Sequence, residues 1–122
     1  MVVGAVLVAG CGTGQREQQV DEVVSRFAAA VTSGDLVSAC GLLSARTRED
    51  LPGGPACQES LSAAGLRLSA GGVVSVWGDR AQVRSGDSAM FLAEFDDGWK
   101  VVAAGCQSRG EDLPYRCVVG GR

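Results

Sequence analysis

Residues 21–51 of this 122-residue chain, DEVVSRFAAAVTSGDLVSACGLLSARTREDL, decide its predicted fold. Apolar residues in and just before this stretch recur at helical spacing, which predicts an amphipathic helix over residues 15–33. They are Val20, Val23, Val24, Phe27 and Val31. Gly34 suits the end of that helix, and Asp35 suits the N-cap of a second, short one. Further short helical segments are expected before Gly65, so the first half of the chain is predicted to be helical.

The second half of the chain has the pattern of a β-meander. After Gly71-Gly72 the hydrophobic period changes to two, which is typical of half-buried strands. The predicted strands cover residues 73–77, 80–84, 89–95, 99–106 and 114–119. Turn sequences such as Gly86-Asp87 and Asp97-Gly98 separate them. Helices followed by four to five antiparallel strands predict an α+β fold, and the length allows one domain, over residues 19–119.

Composition excludes several classes of function. Eleven basic and fourteen acidic side chains leave a net charge of −3, and no basic block is present. We therefore expect no nucleic-acid binding. The chain contains no histidine, which excludes Ser-His and Cys-His nucleophilic pairs and histidine-ligated metals. We expect no catalytic residues, no metal site and no cofactor.

The N-terminus has the pattern of an export signal. Residues 1–10, MVVGAVLVAG, are apolar but too few to span a bilayer, and they suit a signal-peptide core. Leu7-Val8-Ala9-Gly10-Cys11 resembles a bacterial lipobox. The resemblance implies cleavage before Cys11, a diacylglycerol on its sulfur, and a flexible tether over residues 11–18. No Lys or Arg precedes the apolar run, so we expect the signal to be truncated at its start. The alternative is a buried N-terminal strand with Cys11 in the core.

The remaining cysteines indicate a disulfide-bonded, exported domain. Besides Cys11 the chain has an even number, at Cys40, Cys57, Cys106 and Cys117. Their spacing fits neither a zinc site nor a redox Cys-x-x-Cys motif. Four cysteines allow three connectivities, of which Cys40–Cys57 and Cys106–Cys117 join neighbouring predicted elements and are favoured.

The order of elements resembles two α+β superfamilies, the nuclear transport factor 2-like and the cystatin-like folds. Within them, the segment over residues 21–51 is similar to small lipoproteins of actinobacteria. The resemblance implies a sheet that curves around the long helix into a cone, which can hold an apolar ligand. The residues expected to line that cone are Phe27, Val31, Trp77, Met90, Phe91 and Trp99.

These patterns predict an envelope protein bound to the outer face of the cell membrane by its lipid. We expect a non-catalytic binding module whose partner is an unknown envelope protein. One alternative is a carrier of a small apolar ligand in the cone. A second alternative is an isomerase- or cyclase-type enzyme that uses Glu94 and Tyr115. It requires Glu94 to face an enclosed cavity, whereas an acidic strand residue is expected to face solvent.

Overall fold

The described part of the chain forms an α+β fold of four helices and one antiparallel sheet, as the sequence predicts. A computed structural model describes residues 11–51, 56–68, 71–110 and 113–120. The helices are α1 (Cys11–Ser33), α2 (Leu36–Leu42), α3 (Ala45–Glu49) and α4 (Cys57–Ala64). The strands are β1 (Val73–Trp77), β2 (Arg80–Ser85), β3 (Ser88–Phe95), β4 (Gly98–Gln107) and β5 (Arg116–Gly120), in the spatial order β1-β2-β3-β4-β5.

Helix α1 supplies the central apolar stripe of the core. Val20, Val24 and Phe27 are at most 1% exposed, which agrees with the helical spacing in the sequence. The helix starts earlier than predicted, at Cys11, so the tether expected over residues 11–18 is helical instead. Residues 15–18, QREQ, are good helix formers, and Arg16 contacts the sheet. The predicted signal peptide, residues 1–10, lies outside the described residues.

Side-chain caps fix the short helices after α1. Asp35 is the N-cap of α2 and accepts a hydrogen bond from the backbone N–H of Ser38 (3.3 Å), as the sequence predicts. Ser44 is the N-cap of α3 and accepts from the N–H of Thr47 (3.2 Å). Gly65 ends α4 with a left-handed backbone, a conformation that glycine adopts without strain.

The sheet has two chemically different faces. Along β3, Met90 and Leu92 point to the face that packs on α1, here called the inner face. Ala89 and Phe91 alternate with them and belong to a second, smaller apolar cluster on the opposite, outer face. The β3–β4 register shifts around Phe91, which marks irregular pairing there.

Two disulfides cross-link the fold, and their pairing confirms the favoured connectivity. Cys40–Cys57 joins α2 to α4 across 17 residues of sequence. Cys106–Cys117 joins residues directly opposite each other on β4 and β5. Cross-links of this loop length stabilise a folded domain mainly by restricting its unfolded state.

Among the described residues, none of the helices combines the length and apolar character that crossing a bilayer requires.

Candidate functional site

The six residues predicted to line a cone do not surround one cavity. Phe27, Met90 and Trp99 are buried in the main core, and Val31 packs against that core. Trp77 is 52% exposed, and Phe91 lies on the outer face. This part of the prediction is wrong because strand alternation sends Met90 and Phe91 to opposite sides of the sheet.

The space between α1 and the sheet is largely filled by side chains. Only a small pocket, of about 180 Å³, is found at this position among the described residues. Val24, Val83 and Met90 border it, together with Arg67 from the segment after α4. Ligand sites usually measure about 300–1,000 Å³, so this pocket is too small for a typical ligand.

Glu94 lies on the inner face but is not enclosed. Its carboxylate stands 2.9 Å from the Arg16 guanidinium, and both side chains are about one-third exposed. Arg16 also donates to the Gly78 carbonyl and lies over the Trp99 ring, 5.2 Å from its centroid. The carboxylate is therefore paired with a cation at the end of the core and does not face an enclosed cavity.

Tyr115, the other residue of the enzyme hypothesis, lies over the outer face. Its ring packs edge-on against Phe91, with the centroids 5.3 Å apart and an interplanar angle of 75°. The Glu94 carboxylate points instead to Arg16 of α1. These two side chains do not form the acid–base pair that the hypothesis requires. Among the described residues, no three Cys, Asp or Glu side chains are grouped for metal binding.

The largest concave surface among the described pockets is a groove on the outer face, which the sequence analysis did not predict. It measures about 720 Å³, and a neighbouring pocket of about 410 Å³ shares the lining residues Ser44, Arg46 and Phe95 with it. We call the two together the outer groove. One wall is α3, and the other is the Pro114-Tyr115 segment with β5. The volume of each part falls within the range of small-molecule sites.

The floor of the outer groove is aromatic. Phe91 and Tyr115 form the edge-to-face pair at one side, and Phe95 is 47% exposed at the other. Between them Ala93 and Ala103 present only methyl groups, so the floor is low there. Aromatic faces separated by small residues give an apolar platform with room for a flat ligand.

The rim of the outer groove carries charges of both signs. Four cations and three carboxylates border it, namely Arg46, Arg48, Arg80 and Lys100, with Asp50, Asp79 and Asp97. Arg46 stands 4.0 Å from Asp50, and Arg80 stands 3.7 Å from Asp79. Both distances exceed a hydrogen bond, so these partners do not use up each other's donors and acceptors.

A buried hydroxyl network fixes the α3 wall to the sheet. The Ser44 hydroxyl donates to Thr47 Oγ1 (2.7 Å), and the Thr47 hydroxyl donates to the carbonyl of Val102 (3.0 Å). The Ser44 N–H donates to the Val101 carbonyl (2.9 Å). Arg48 donates to two carbonyls at the end of α2 and thereby ties α3 to α2. These hydrogen bonds hold the α3 wall of the groove against β4 and the end of α2.

Sequence patterns could not reveal this groove because its residues come from four separate parts of the chain. Phe91 and Phe95 share a strand face, which alternation does indicate. The pairing of Phe91 with Tyr115, 24 positions later, depends on the path of the segment before β5. The position of Arg46 depends on the packing of a five-residue helix.

Comparisons with known proteins leave the function open. No protein-family model matches the chain, and no curated protein matches it either. One similar solved structure is a variant of Rv3472, a protein of unknown function from Mycobacterium tuberculosis. It is 21% identical, with a TM-score of 0.40, and the similarity covers 83% of this chain and 70% of that one.

Proposed function

We propose that this protein is an exported, lipid-anchored envelope protein that acts as a non-catalytic binding module. The observation that carries the proposal is the pairing of Cys40, Cys57, Cys106 and Cys117 into two disulfides. Disulfides of this kind persist in oxidising compartments outside the cytoplasm. The one remaining cysteine, Cys11, lies in the lipobox-like sequence, so a separate use for it is chemically consistent.

Lipid on Cys11 would place the domain close to the membrane surface. The helix starts at this residue, and Arg16, five residues later, contacts the sheet. Five helical residues span about 7.5 Å. Two or three acyl chains, at about 0.8 kcal/mol per buried methylene, are enough for stable anchoring.

The outer groove is the surface we assign to binding. It combines an aromatic floor with polar groups at its rim, which is the composition of a recognition site.

The proposal is tested with a Cys11→Ala variant in the native host. We expect the wild-type protein in the membrane fraction and in the detergent phase of a two-phase extraction, and the variant shifted out of that phase. The matched control is Gly14→Ala, since a Cβ at Gly14 meets nothing within 4 Å. Equal partitioning of Cys11→Ala and wild type would contradict lipid anchoring.

A further inference from the structure

We propose that the outer groove binds a neutral oligosaccharide by stacking sugar rings on its aromatic floor. The inference deepens the proposed binding role by naming the ligand class, and it rests on the groove rather than on the lipid anchor. Three features lead to this class: the mixed charges at the rim, the aromatic floor, and the two adjoining parts of the site.

The mixture of charges at the rim disfavours charged ligands. An anion would gain from the four cations but lose to the three carboxylates among them, and a cation would meet the reverse. A hydroxyl group both donates and accepts, so it can use both members of a pair such as Arg80 and Asp79. A ligand rich in hydroxyls and free of charge therefore matches this rim.

The floor requires a ligand with an apolar face. The exposed ring of Phe95 and the pair formed by Phe91 and Tyr115 offer flat surfaces to C–H groups. A pyranose ring has such a C–H face and carries its hydroxyls around the edge. A fatty acyl chain would satisfy the floor but leave the charged rim unpaired, at a cost in desolvation.

The shape of the groove requires an extended ligand. Its two parts, of about 720 and 410 Å³, adjoin each other at Ser44, Arg46 and Phe95, so a ligand that occupies both must extend across these residues. A linear chain of several sugar units has this shape.

An extended peptide fits less well. Peptides that add to a sheet pair with the main chain of a free strand edge. The floor strands β3 and β4 are paired with neighbours on both sides, so they offer side chains only. Recognition on the floor of the groove therefore comes from aromatic faces and from charged side chains at the rim, and the edge strand β5 lies in the wall.

The test is an NMR titration of the ¹⁵N-labelled full chain in a zwitterionic, sugar-free detergent. The probes are maltohexaose, cellohexaose, xylohexaose and mannohexaose, compared with hexagalacturonic acid, laurate and an uncharged octapeptide. We expect at least one neutral hexasaccharide to shift resonances around Phe91, Phe95 and Tyr115, and to bind more tightly than the other three classes.

Two variants make the result specific. Phe95→Ala should weaken the binding of that hexasaccharide at least about tenfold, while its unfolding midpoint stays close to that of wild type, because the ring is half exposed. Val37→Ala, at a 65% exposed position on α2 outside the groove, should leave the affinity unchanged.

Absence of binding by all four neutral hexasaccharides would overturn the proposal. So would tighter binding of the acid, laurate or the peptide, or hexasaccharide binding that Phe95→Ala leaves unchanged. None of these outcomes depends on Cys11, so failure here is distinguishable from failure of membrane anchoring.

Discussion

At the scale of single residues, Arg16 connects the start of α1 to the β1–β2 turn and to the strands β3 and β4. It forms an ion pair with Glu94, donates to the Gly78 carbonyl and lies over Trp99. The Trp99 indole N–H is buried without an acceptor among the described residues, so the cation above the ring is the polar contact that we observe for this side chain.

Arg16→Ala should therefore destabilise the domain by about 1–2 kcal/mol, a combination of the lost cation–π contact and the lost hydrogen bond. The free energy of unfolding in urea measures this change. The matched control is Arg26→Ala, whose only ion pair among the described residues is an exposed contact of 4.0 Å with Glu22 on the same helix. The control should change stability by less than about 0.5 kcal/mol. Equal losses in the two variants would refute the role of Arg16.

The identity of most core residues could be predicted from the sequence, but the contacts of polar residues could not. Helical periodicity identifies Val20, Val24 and Phe27 because burial repeats with the helix turn. Alternation places Glu94 on the face of Met90 and Leu92. It does not indicate that a helical residue 78 positions earlier supplies the cation for Glu94, because that contact depends on how α1 crosses the sheet.

At the scale of elements, the pairing of β1 with β2 depends on the backbone conformation of the two glycines that precede β1. Gly71 and Gly72 directly precede the strand, and both have positive φ values, of 86° and 130°. A Cβ at Gly72 would lie 2.5 Å from the carbonyl oxygen of Arg84, whereas a Cβ at Gly71 meets nothing within 4 Å. Both positions therefore require a positive φ, and only Gly72 also faces a steric clash.

We expect Gly71→Ala to cost about 1–2 kcal/mol from the positive φ alone. Gly72→Ala should cost about 1–3 kcal/mol more, because its φ lies further from the left-handed helical region and because the clash with Arg84 opposes β1–β2 pairing. Urea unfolding of both variants gives the difference, and hydrogen exchange of the β1 amides shows whether the loss is local. Similar stability of the two variants would mean that Gly72 does not limit this pairing.

The strands were predictable to within two residues because period-two patterns and turn residues agree. The predicted β1, residues 73–77, matches the observed strand, and Gly86-Asp87 lies between β2 and β3 as expected. The start of α1 was not predictable, because two glycines among its first four residues suggest a tether. The register shift around Phe91 has no simple sequence signal either.

At the scale of the whole molecule, one disulfide cross-links the helical part and the other cross-links the sheet. Cys40–Cys57 lies among the helices, and Cys106–Cys117 lies at the last strand pair. Each closes a loop of similar length, of 17 and 11 residues, so the loop-entropy model gives each about 3 kcal/mol.

Replacing both cysteines of either pair by serine should therefore lower the free energy of unfolding by about 3 kcal/mol. The two double variants should be nearly equal, as measured by urea unfolding under oxidising conditions. The reduced wild-type protein serves as the reference for the loss of both bonds. A loss below about 1 kcal/mol in either variant would show that its disulfide does not stabilise the fold.

The central claim, an exported lipoprotein with two structural disulfides, is tested most directly by intact mass. The protein is taken from the membrane fraction of its native host and alkylated with and without prior reduction. We predict a mass that matches the chain from Cys11 onward plus acyl chains, with no alkylation before reduction and four added groups after it, from Cys40, Cys57, Cys106 and Cys117. An unprocessed chain from Met1 whose five cysteines are all alkylated without reduction would contradict the account.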